Sequence, residues 1–493
     1  MAEPGFVERH RLHSDEQLAA AAQVLERVEQ EQLELVRVSF VDQHGLLRGK
    51  TVAAAELASV LRNGVAVVST LLSKDTSGQT VYAAFAPDGG VGIAEMAGAG
   101  DMVMVPDPST FRVLEWAGRT GWLLCDLHFR SGEPVPLCSR GQLRRAVRRA
   151  ADLGYTVQTG VELEFHLFRA TGAPEHPGHP DDDATPAGYA LLNPGYQLLS
   201  EDRMDALGPI VAEFAGQLRR LGVPLRTLEV EFGPSQLEVT LSPELGVRAA
   251  DTVILLRAAL KQLARRHGHH VTFMCRPRIP RVFSSGWHLH QSLLRAGPDG
   301  PRNAFLPAGQ EPGGHSAAGD DGPLSEVGRG FLAGQLRHAR AASAFAVPTI
   351  NGYKRFQSYS MAPDRVLWAL GSRAALLRVT GSAADGSTHV ENRVGEPSAN
   401  PYLYLAAQLV AGLNGVEHGW DPGPAADEPY ETEAPRLPAT LGEALDALAE
   451  DTEFRESFGA RFADYYIGIK RHELARFHAA VTDWEQREYF ELF

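Results

Sequence analysis

Cysteine is scarce in this chain, and its three cysteines stand far apart. Cys125, Cys138 and Cys275 form no CxxC pair and no even-numbered framework. Disulfide scaffolds and thiolate zinc sites both depend on such pairing. The scarcity therefore excludes both classes of protein and indicates a reducing compartment, so we expect a cytoplasmic location.

Positive charge and long apolar runs are also in short supply. The sequence has 47 Lys and Arg against 61 Asp and Glu, a formal net charge of −14, and no run of five basic residues. Nucleic-acid binders rely on Lys and Arg to neutralise phosphates. No run of 18 apolar residues occurs, and the N-terminal MAEPGFVERHRLHSDEQ lacks the apolar core of a signal peptide. We therefore expect no nucleic-acid partner and no membrane partner.

The apolar content is nevertheless that of a large globular protein. Of 493 residues, 44% are hydrophobic, and this length exceeds the size at which one core usually stops growing. Helical spacing in residues 15–30 precedes a strand–turn–strand pattern around His44 and Gly45, and a Pro-rich stretch follows at Ser131 to Cys138. We predict an α+β fold with an N-terminal helical segment (1–30), a small sheet domain (31–130) and a larger domain (131–493).

The larger domain alternates helical and strand patterns. Helices are predicted at Gly141 to Gly154, Glu201 to Leu221 and Asp251 to His267. Two polar stretches, Thr171 to Pro186 and Ala296 to Gly322, are predicted loops. The predicted strands are VELEFHLF, RTLEVEF, SQLEVTL, SSGWHLHQSLL and HVENRVG.

The stretch VELEFHLF, Val161 to Phe168, poses a chemical problem. Successive strand side chains point to opposite faces, so Glu162 and Glu164 share one face while apolar residues occupy the other. A solvated sheet face would explain one such strand. It explains less well a pattern that recurs in the other segments, where polar residues again share a face: Glu229, Glu231, Glu238, His288, His290, Ser292, His389, Glu391 and Arg393.

If these faces meet, they bring carboxylates, imidazoles and a guanidinium together. Oxygen ligands with an occasional imidazole suit Mg²⁺ or Mn²⁺. A second cluster, YKRFQSYSMAPDRVLWALGSRAALLR, adds Arg355, Arg373 and Arg378. Divalent cations together with arginines neutralise the charge that develops in phosphoryl transfer. The residues therefore indicate a metal-dependent phosphoryl-transfer site.

The same segments resemble, in order, the motif series of the glutamine synthetase family. The resemblance runs from about Leu33 to the C-terminus and includes EFGPSQLE, NGYKRF, GSRAALLR and HVENRVGEPSANPYLYLAAQLVAGLNG. It implies an N-terminal β-grasp domain, a C-terminal α/β catalytic domain and a homo-oligomer, usually a dodecamer of two hexameric rings. It also implies that ATP phosphorylates the γ-carboxylate of glutamate and that an amine then displaces phosphate.

The resemblance further implies a role for each matching residue. Glu164, Glu231 and Glu238 would hold one Mg²⁺ or Mn²⁺ ion, and Glu162, His288 and Glu391 a second. Asp42, from a neighbouring subunit, would act in catalysis with Arg373 and Glu391. The remaining matches are ATP-binding His290, Ser292, Arg373 and Arg378, glutamate-binding Glu164, Ser284, His288, Arg355 and Arg393, and an amine pocket of Asp42, Tyr189 and Met361.

Several positions depart from the family pattern. Ammonia-using members carry a glutamate six residues after the arginine of the YKR motif, where this chain has Met361. Methionine cannot transfer protons. Phe283 and Trp287 replace smaller or more flexible residues, and His389 stands where an arginine is common near ATP.

These changes predict a ligase that joins glutamate to an organic amine: an alkylamine, ethanolamine, a polyamine or an aniline. Ordinary glutamine synthesis from ammonia is the first alternative. A catalytically silent structural or regulatory relative is the second, and all six candidate metal positions hold Glu or His, which argues against it.

Overall fold

The computed structural model describes residues 3–86, 89–172, 188–279, 281–297, 300–307, 323–357 and 361–493. Most of the two predicted loops, Thr171 to Pro186 and Ala296 to Gly322, lies outside these residues. In the described part of the chain, no helix is both long and apolar enough to cross a membrane. The predicted combination of helices and sheets is confirmed, and two separate sheets organise it.

The first sheet has six strands and lies in the N-terminal part of the chain. Its order is β2-β1-β6-β4-β3, with β5 paired to β6. The predicted turn at His44 and Gly45 joins β1 to β2, and Gly45 adopts a φ of 80°, which favours glycine. The strands are β1 (Leu35–Val41), β2 (Leu47–Ala53), β3 (Val65–Val68), β4 (Asp101–Pro106), β5 (Arg112–Leu114) and β6 (Thr120–His128).

The second sheet has ten strands and carries the acidic segments. Its order is β14-β15-β16-β12-β7-β10-β9, with β8 and β11 also paired to β7 and β13 to β12. The predicted boundary between residues 130 and 131 lies between β6, the last strand of the first sheet, and β7, the first strand of the second. The division into domains there stays a prediction. The strands are β7 (Tyr155–Ala170), β8 (Tyr189–Leu191), β9 (Leu225–Val230), β10 (Gln236–Leu245), β11 (His269–Thr272), β12 (Trp287–Arg295), β13 (Arg302–Asn303), β14 (Trp368–Leu370), β15 (Leu377–Thr380) and β16 (His389–Gly395).

Helices cover the apolar side of the second sheet. The helix predicted from Glu201 to Leu221 is instead two helices, because Pro209 lacks the N–H that a continuous helix needs and starts a new one. The helices are α1 (Phe6–Arg9), α2 (Asp15–Gln30), α3 (Leu57–Asn63), α4 (Ser139–Asp152), α5 (Glu201–Ala206), α6 (Gly208–Arg220), α7 (Arg248–Arg266), α8 (Glu326–Arg337), α9 (Ala339–Ala346), α10 (Pro401–His418), α11 (Leu441–Glu450), α12 (Thr452–Phe458), α13 (Ala460–Ala479) and α14 (Asp483–Tyr489).

The two faces of the central strand β7 differ: one packs into the hydrophobic core, and the other carries the predicted polar residues. Val161, Leu163, Phe165 and Leu167 are buried, and α4 and α7 pack against the strand. Burying such side chains contributes about 1.5–3 kcal/mol each. This packing fixes the register of β7, since a slip of one residue would turn the glutamates into the core.

A buried network of ion pairs connects the N-terminal sheet to helices α4 and α7. Arg140 of α4, which is 2% exposed, pairs with Asp107, Asp126 and Asp251 at 2.7 to 2.9 Å. Arg144, one turn further on, pairs with Asp107 at 2.6 Å and with Asp126 at 3.1 Å. Three carboxylates therefore face two guanidinium groups between β4, β6, α4 and α7.

Candidate active site

Strand register brings the predicted polar residues onto one face of the second sheet. Glu164 of β7 lies opposite Glu238 of β10, and Glu162 lies opposite His288 of β12. On the next strand pair, His290 lies opposite Glu391 of β16. The acids and histidines that are distant in sequence therefore form neighbouring rows.

Two groups of potential metal ligands occupy this face. Glu162, His288 and Glu391 form one group, and Glu164, Glu238 and His288 form the other, with the ligand atoms of each group within 4.8 Å of one another. His288 Nδ1 lies 2.5 Å from Glu162 Oε1 and 3.9 Å from Glu391 Oε1. The first group has the composition that the sequence predicts for one ion, and the second contains two of the three residues predicted for the other.

Glu231 is the predicted ligand that lies outside both groups. The strand predicted through it is shorter than expected, because β9 ends at Val230. One Glu231 oxygen accepts a hydrogen bond from the Phe232 backbone at 2.8 Å. Glu231 still lines the same cavity as Glu164 and Glu238, and its role as a metal ligand stays a prediction.

The carboxyl groups are held in opposite protonation states. Burial raises the pKa of Glu164 to about 8, with the charge of Glu231 adding to the shift. Burial likewise raises the pKa of Glu238 to about 10, with the charges of Glu162 and Glu164 adding. At Glu162 burial is outweighed by hydrogen bonds from His288 and His290, which hold its pKa far below the usual value.

Charged neighbours lower the pKa of Glu391, and two arginines contact its carboxylate. Burial opposes ionisation there, but the charges of His288 and Arg393 lower the pKa of the carboxyl. Arg393 Nη1 contacts Glu391 Oε1, and Arg378 Nη1 donates to Glu391 Oε2 at 3.0 Å. Burial, together with the charge of Arg393, lowers the pKa of His288, which favours the neutral imidazole that can bind a metal.

The residues fit a pair of hard divalent cations. Carboxylate oxygens dominate both groups, which matches the preference of Mg²⁺ and Mn²⁺. The raised pKa values of Glu164 and Glu238 mean that burial and mutual repulsion disfavour their joint ionisation, which an added positive charge would favour. Glu162, Glu391 and His288 would hold one cation, and Glu164 and Glu238 would hold another.

A cavity of about 700 Å³ opens on the acidic face. Arg276, Arg355, Arg373 and Arg393 bring positive charge to it, beside Ser284. Arg355 is 8% exposed, and its guanidinium donates through Nη1 to the backbone carbonyls of residues 393, 394 and 395 at 3.0 to 3.3 Å. These bonds fix its position before any substrate binds.

Apolar side chains form another part of the wall of this cavity. Phe283 packs edge-on against Phe232 with ring centroids 5.2 Å apart, and Phe232 in turn packs against Tyr196 at 5.0 Å. Met361 lines the same cavity. Four more apolar residues line this part of the cavity: Leu198, Leu199, Val282 and Ala362. We call these four, together with Phe232, Phe283 and Met361, the apolar wall.

A second cavity of about 500 Å³ shares Glu162, Glu229 and Thr240 with the first. Three of the predicted ATP-binding residues line it: His290, Ser292 and Arg378. The fourth, Arg373, lines the larger cavity instead. His389 joins this set, with its Nε2 3.0 Å from His290 Nδ1.

Two predicted amine-site residues lie elsewhere in this chain. Asp42 is buried at the end of β1, where its carboxylate accepts bonds from the backbone of His44 and Leu46 and pairs with Arg48 at 2.8 Å. Tyr189 is 43% exposed and stacks on His270 at 4.7 Å. Neither lines the cavity within this subunit. Their roles at the amine stay a prediction, which for Asp42 involves a neighbouring subunit.

Some residues at the site were not predicted. Gln236 donates to Glu164 Oε2 at 2.7 Å and to Ser285 Oγ at 2.9 Å, and His166 Nδ1 lies 3.2 Å from the same hydroxyl. The period-two pattern places Gln236 on the face of Glu238, so it could have been found. Arg276 lies in an irregular loop, where no periodicity marks it.

The fold and much of the sequence of this chain are shared with known ligases. The glutamine synthetase catalytic domain matches residues 136–489, and the chain belongs to the glutamine synthetase family. It is therefore a carbon–nitrogen ligase.

Relatives in this family act on several amines. The chain is 41% identical to the gamma-glutamylanilide synthase of Acinetobacter sp over 99% of both chains. It is 34% identical to the gamma-glutamylethanolamide synthetase GlnA4 of Streptomyces coelicolor, with 93% of each covered, and 32% identical to the glutamine synthetase of Halobacterium salinarum, with 95% and 96% covered. The solved structure of ligand-free GmaS superposes with a TM-score of 0.76 at 28% identity and covers 94% of this chain and 99% of that one.

Cation binding should depend steeply on pH. Because Glu164 and Glu238 have folded-state pKa values above the ordinary 4.5, they hold protons that a cation must displace. We expect Mn²⁺ affinity to rise about tenfold per pH unit between pH 6 and 8 for each proton released. Titration calorimetry in two buffers of different ionisation enthalpy measures the protons released.

The stability of the metal-free protein should change in the opposite sense. The contribution of these two carboxyls is complete below pH 4.5 and is lost as the pH rises through about 8 to 10. The increase in Tm caused by Mn²⁺ should therefore be larger at pH 8.5 than at pH 6. If the increase in Tm caused by Mn²⁺ does not vary with pH, and if binding releases no protons, the pKa values assigned to the two glutamates are wrong.

Proposed function

We propose that this enzyme joins the γ-carboxylate of glutamate to an aromatic amine of the aniline class, with ATP as the phosphoryl donor. The observation that carries the proposal is the larger cavity, whose lining combines acidic and arginine side chains, which we call the floor, with the apolar wall around Phe283 and Met361. The similarity to an enzyme that makes gamma-glutamylanilide supports the choice of amine.

The arginines of the floor are placed to hold glutamate. Arg355 is fixed by three backbone carbonyls, and Arg393 is fixed by Glu391 and by the backbone carbonyl of Arg373 at 3.0 Å. Such preorganised cations bind a carboxylate without reordering. Ser284 and Arg276, whose side chains are 2.9 Å apart, complete this side of the cavity.

Phosphoryl transfer would occur where the two cavities meet at Glu162. A γ-carboxylate oxygen of glutamate attacks the γ-phosphorus of ATP, the bond to the β-phosphate oxygen breaks, and ADP leaves. The two ligand groups would hold two Mg²⁺ or Mn²⁺ ions, which when bound would supply positive charge to the phosphate oxygens. His290, Ser292 and Arg378 would bind the nucleotide from the smaller cavity, and Arg373 would contact the transferred group from the larger one.

The amine then completes the reaction. Its nitrogen attacks the carbonyl carbon of γ-glutamyl phosphate, and the bond from that carbon to the phosphate oxygen breaks. The proton that the nitrogen loses leaves with inorganic phosphate as HPO4²⁻. An arylamine is unprotonated at neutral pH, so it needs no base to free its lone pair before attack. Met361 can offer it contact but not proton transfer, and each buried methylene-sized contact contributes about 0.8 kcal/mol.

We also infer the assembly and the location from the family. A dodecamer of two hexameric rings would bring Asp42 of a neighbouring subunit to the amine side of the cavity. The scarcity of cysteine favours the cytoplasm. Sedimentation velocity on the purified protein tests the ring assembly directly.

The decisive experiment supplies ATP, Mg²⁺ or Mn²⁺, glutamate and one amine at a time. The panel holds aniline, isopropylamine, ethanolamine, putrescine and ammonium, and phosphate release is measured with the mass of the product. We expect fastest release with aniline and a product of the mass of γ-glutamylanilide. Release with ammonium alone would make the enzyme a glutamine synthetase and would overturn the proposal.

Restoring a carboxylate at Met361 should shift the choice of amine. We expect Met361→Glu to raise kcat/KM for ammonium relative to aniline by about tenfold or more, because a base near the nitrogen favours deprotonation of ammonium. The matched control is Met361→Gln, which has the same shape without the charge and should lower aniline use without improving ammonium use. An unchanged ratio in Met361→Glu would remove Met361 from the argument.

A further inference from the structure

A third cavity, of about 660 Å³, lies between the two sheets. Its walls come from the turn between β1 and β2, from α7, and from the chain near residues 272–275 and 349–351. It shares no lining residue with either cavity of the active site. It is therefore a separate space, and the proposed reaction makes no use of it.

The lining of this third cavity is positive, although the protein as a whole is acidic. Arg48, Arg257, Lys261 and Arg265 line it, and the described lining contains no Asp or Glu. Arg48 pairs with Asp42. The other three cations form no ion pair within 4.0 Å among the described residues. In a chain with a net charge of −14, an acid-free group of cations around a cavity favours an anionic ligand.

Arg257 is the strongest sign of such a ligand. Its side chain is 9% exposed, and its guanidinium lies over the rings of Phe273 and Trp287, at 5.6 and 5.2 Å from their centroids. Among the described residues it makes one hydrogen bond, in which Nη2 donates to the backbone carbonyl of Ala399 at 2.9 Å. Its Nε is buried without a partner.

A buried guanidinium with so few acceptors is expensive to maintain. Burial lowers the pKa of Arg257. The charge of Glu396 opposes this shift, but the two side chains form no ion pair. Buried charges persist in proteins when they are paired or bind a ligand. The lining supplies no acid to do this, whereas an anion that enters the cavity can.

We propose that the third cavity binds a small organic dianion, with its carboxylate or phosphate group on Arg257 and its second charge near Lys261 and Arg265. The carbon skeleton would lie against Phe273, Met274 and Leu46, which line the same cavity. Lys261 and Arg265 are exposed and stand one helical turn apart on α7, so they flank the entrance that such a ligand would use.

The lysines of the chain provide a direct test. The sequence has only Lys50, Lys74, Lys261, Lys354 and Lys470. The probe is pyridoxal 5′-phosphate, a dianion whose aldehyde condenses with a lysine amine to an imine and water. Borohydride then reduces the imine to a stable secondary amine, and peptide mass spectrometry locates it. We expect Lys261 to be modified about tenfold faster than the exposed Lys50 and Lys354.

Competition and substitution establish what guides the probe. Succinate or inorganic phosphate should protect Lys261 but not Lys50 or Lys354, and the more effective protector identifies a carboxylate or a phosphate ligand. Arg265→Gln, at an exposed position, and Arg257→Gln, in the interior, should each slow the modification of Lys261 about tenfold. The matched control is Arg248→Gln, which removes the same charge from an exposed position of α7 outside the cavity.

Three results would overturn the proposal. The first is modification of the exposed lysines in proportion to their exposure alone, with no protection by either anion. The second is an equal effect of Arg265→Gln and Arg248→Gln, which would assign the labelling to general charge. The third is labelling of Lys261 in dissociated subunits only, which would mean that another copy of the chain covers the cavity.

Discussion

Glu391→Gln should abolish most of the turnover while the protein remains folded. Glu391 belongs to a ligand group with Glu162 and His288 and also contacts Arg378 and Arg393. An amide keeps an oxygen for the arginines but removes the negative charge that a divalent cation requires. We expect kcat/KM for the amine reaction to fall by about 10³-fold, and Mn²⁺ affinity to fall with it.

The control for this variant is Glu229→Gln. Glu229 lies opposite Glu238 on the same face of the sheet, yet it belongs to neither ligand group. We expect it to retain most of the activity, so the comparison separates the effect of one ligand from that of total negative charge. Circular dichroism and sedimentation check fold and assembly. An active Glu391→Gln enzyme would show that the metal assignment is wrong.

Arg140→Leu should cause the largest loss of stability. Leucine fills part of the space but leaves Asp107 and Asp126 with Arg144 alone and removes the ion-pair partner of Asp251. Removing one partner from a buried ion network costs about 3–5 kcal/mol, because the remaining charges stay buried. Urea unfolding followed by tryptophan fluorescence measures the difference, with Arg148→Leu, an exposed substitution on the same helix, as the control.

The effect of Arg140→Leu should also depend on pH. Burial alone would raise the pKa of Asp107, but the charges of Arg140 and Arg144 hold it far below the ordinary 3.8. A lowered pKa means that the pairing stabilises the folded state above pH 3.8 and is lost as the pH falls toward the folded-state value. The difference in the free energy of unfolding between wild type and Arg140→Leu should therefore become smaller below pH 4. If this difference is small at pH 7, or no larger than the difference caused by Arg148→Leu, the network contributes little to stability.

The strands of the site could be predicted because their chemistry is periodic. The segment HVENRVG coincides with β16 (His389–Gly395), and the alternation in VELEFHLF correctly places Glu162 and Glu164 opposite the core. The prediction was weaker where the chain leaves a strand. Glu231 follows the end of β9, so alternation no longer fixes its direction.

Other parts of the site could not be derived from the sequence because irregular chain supplies them. The contact between Phe232 and Phe283 joins two loops that are distant in sequence, and no local pattern pairs them. The buried network of Arg140 was missed for a related reason. Arg140 lies just before the helix predicted at Gly141 to Gly154, so no periodicity marks it. Only the packing of the N-terminal sheet shows that it faces inward.

The floor and the apolar wall of the active site belong to different kinds of structure. Paired strands carry the ligand groups and Arg393, whereas Leu198, Phe232, Phe283 and Met361 all stand in connections between elements. Loops tolerate substitution better than central strands do. The part that activates glutamate is thus inherited as a rigid unit, and the part that selects the amine can change one side chain at a time. An enzyme of this design can acquire a new nucleophile without rebuilding its phosphorylating apparatus.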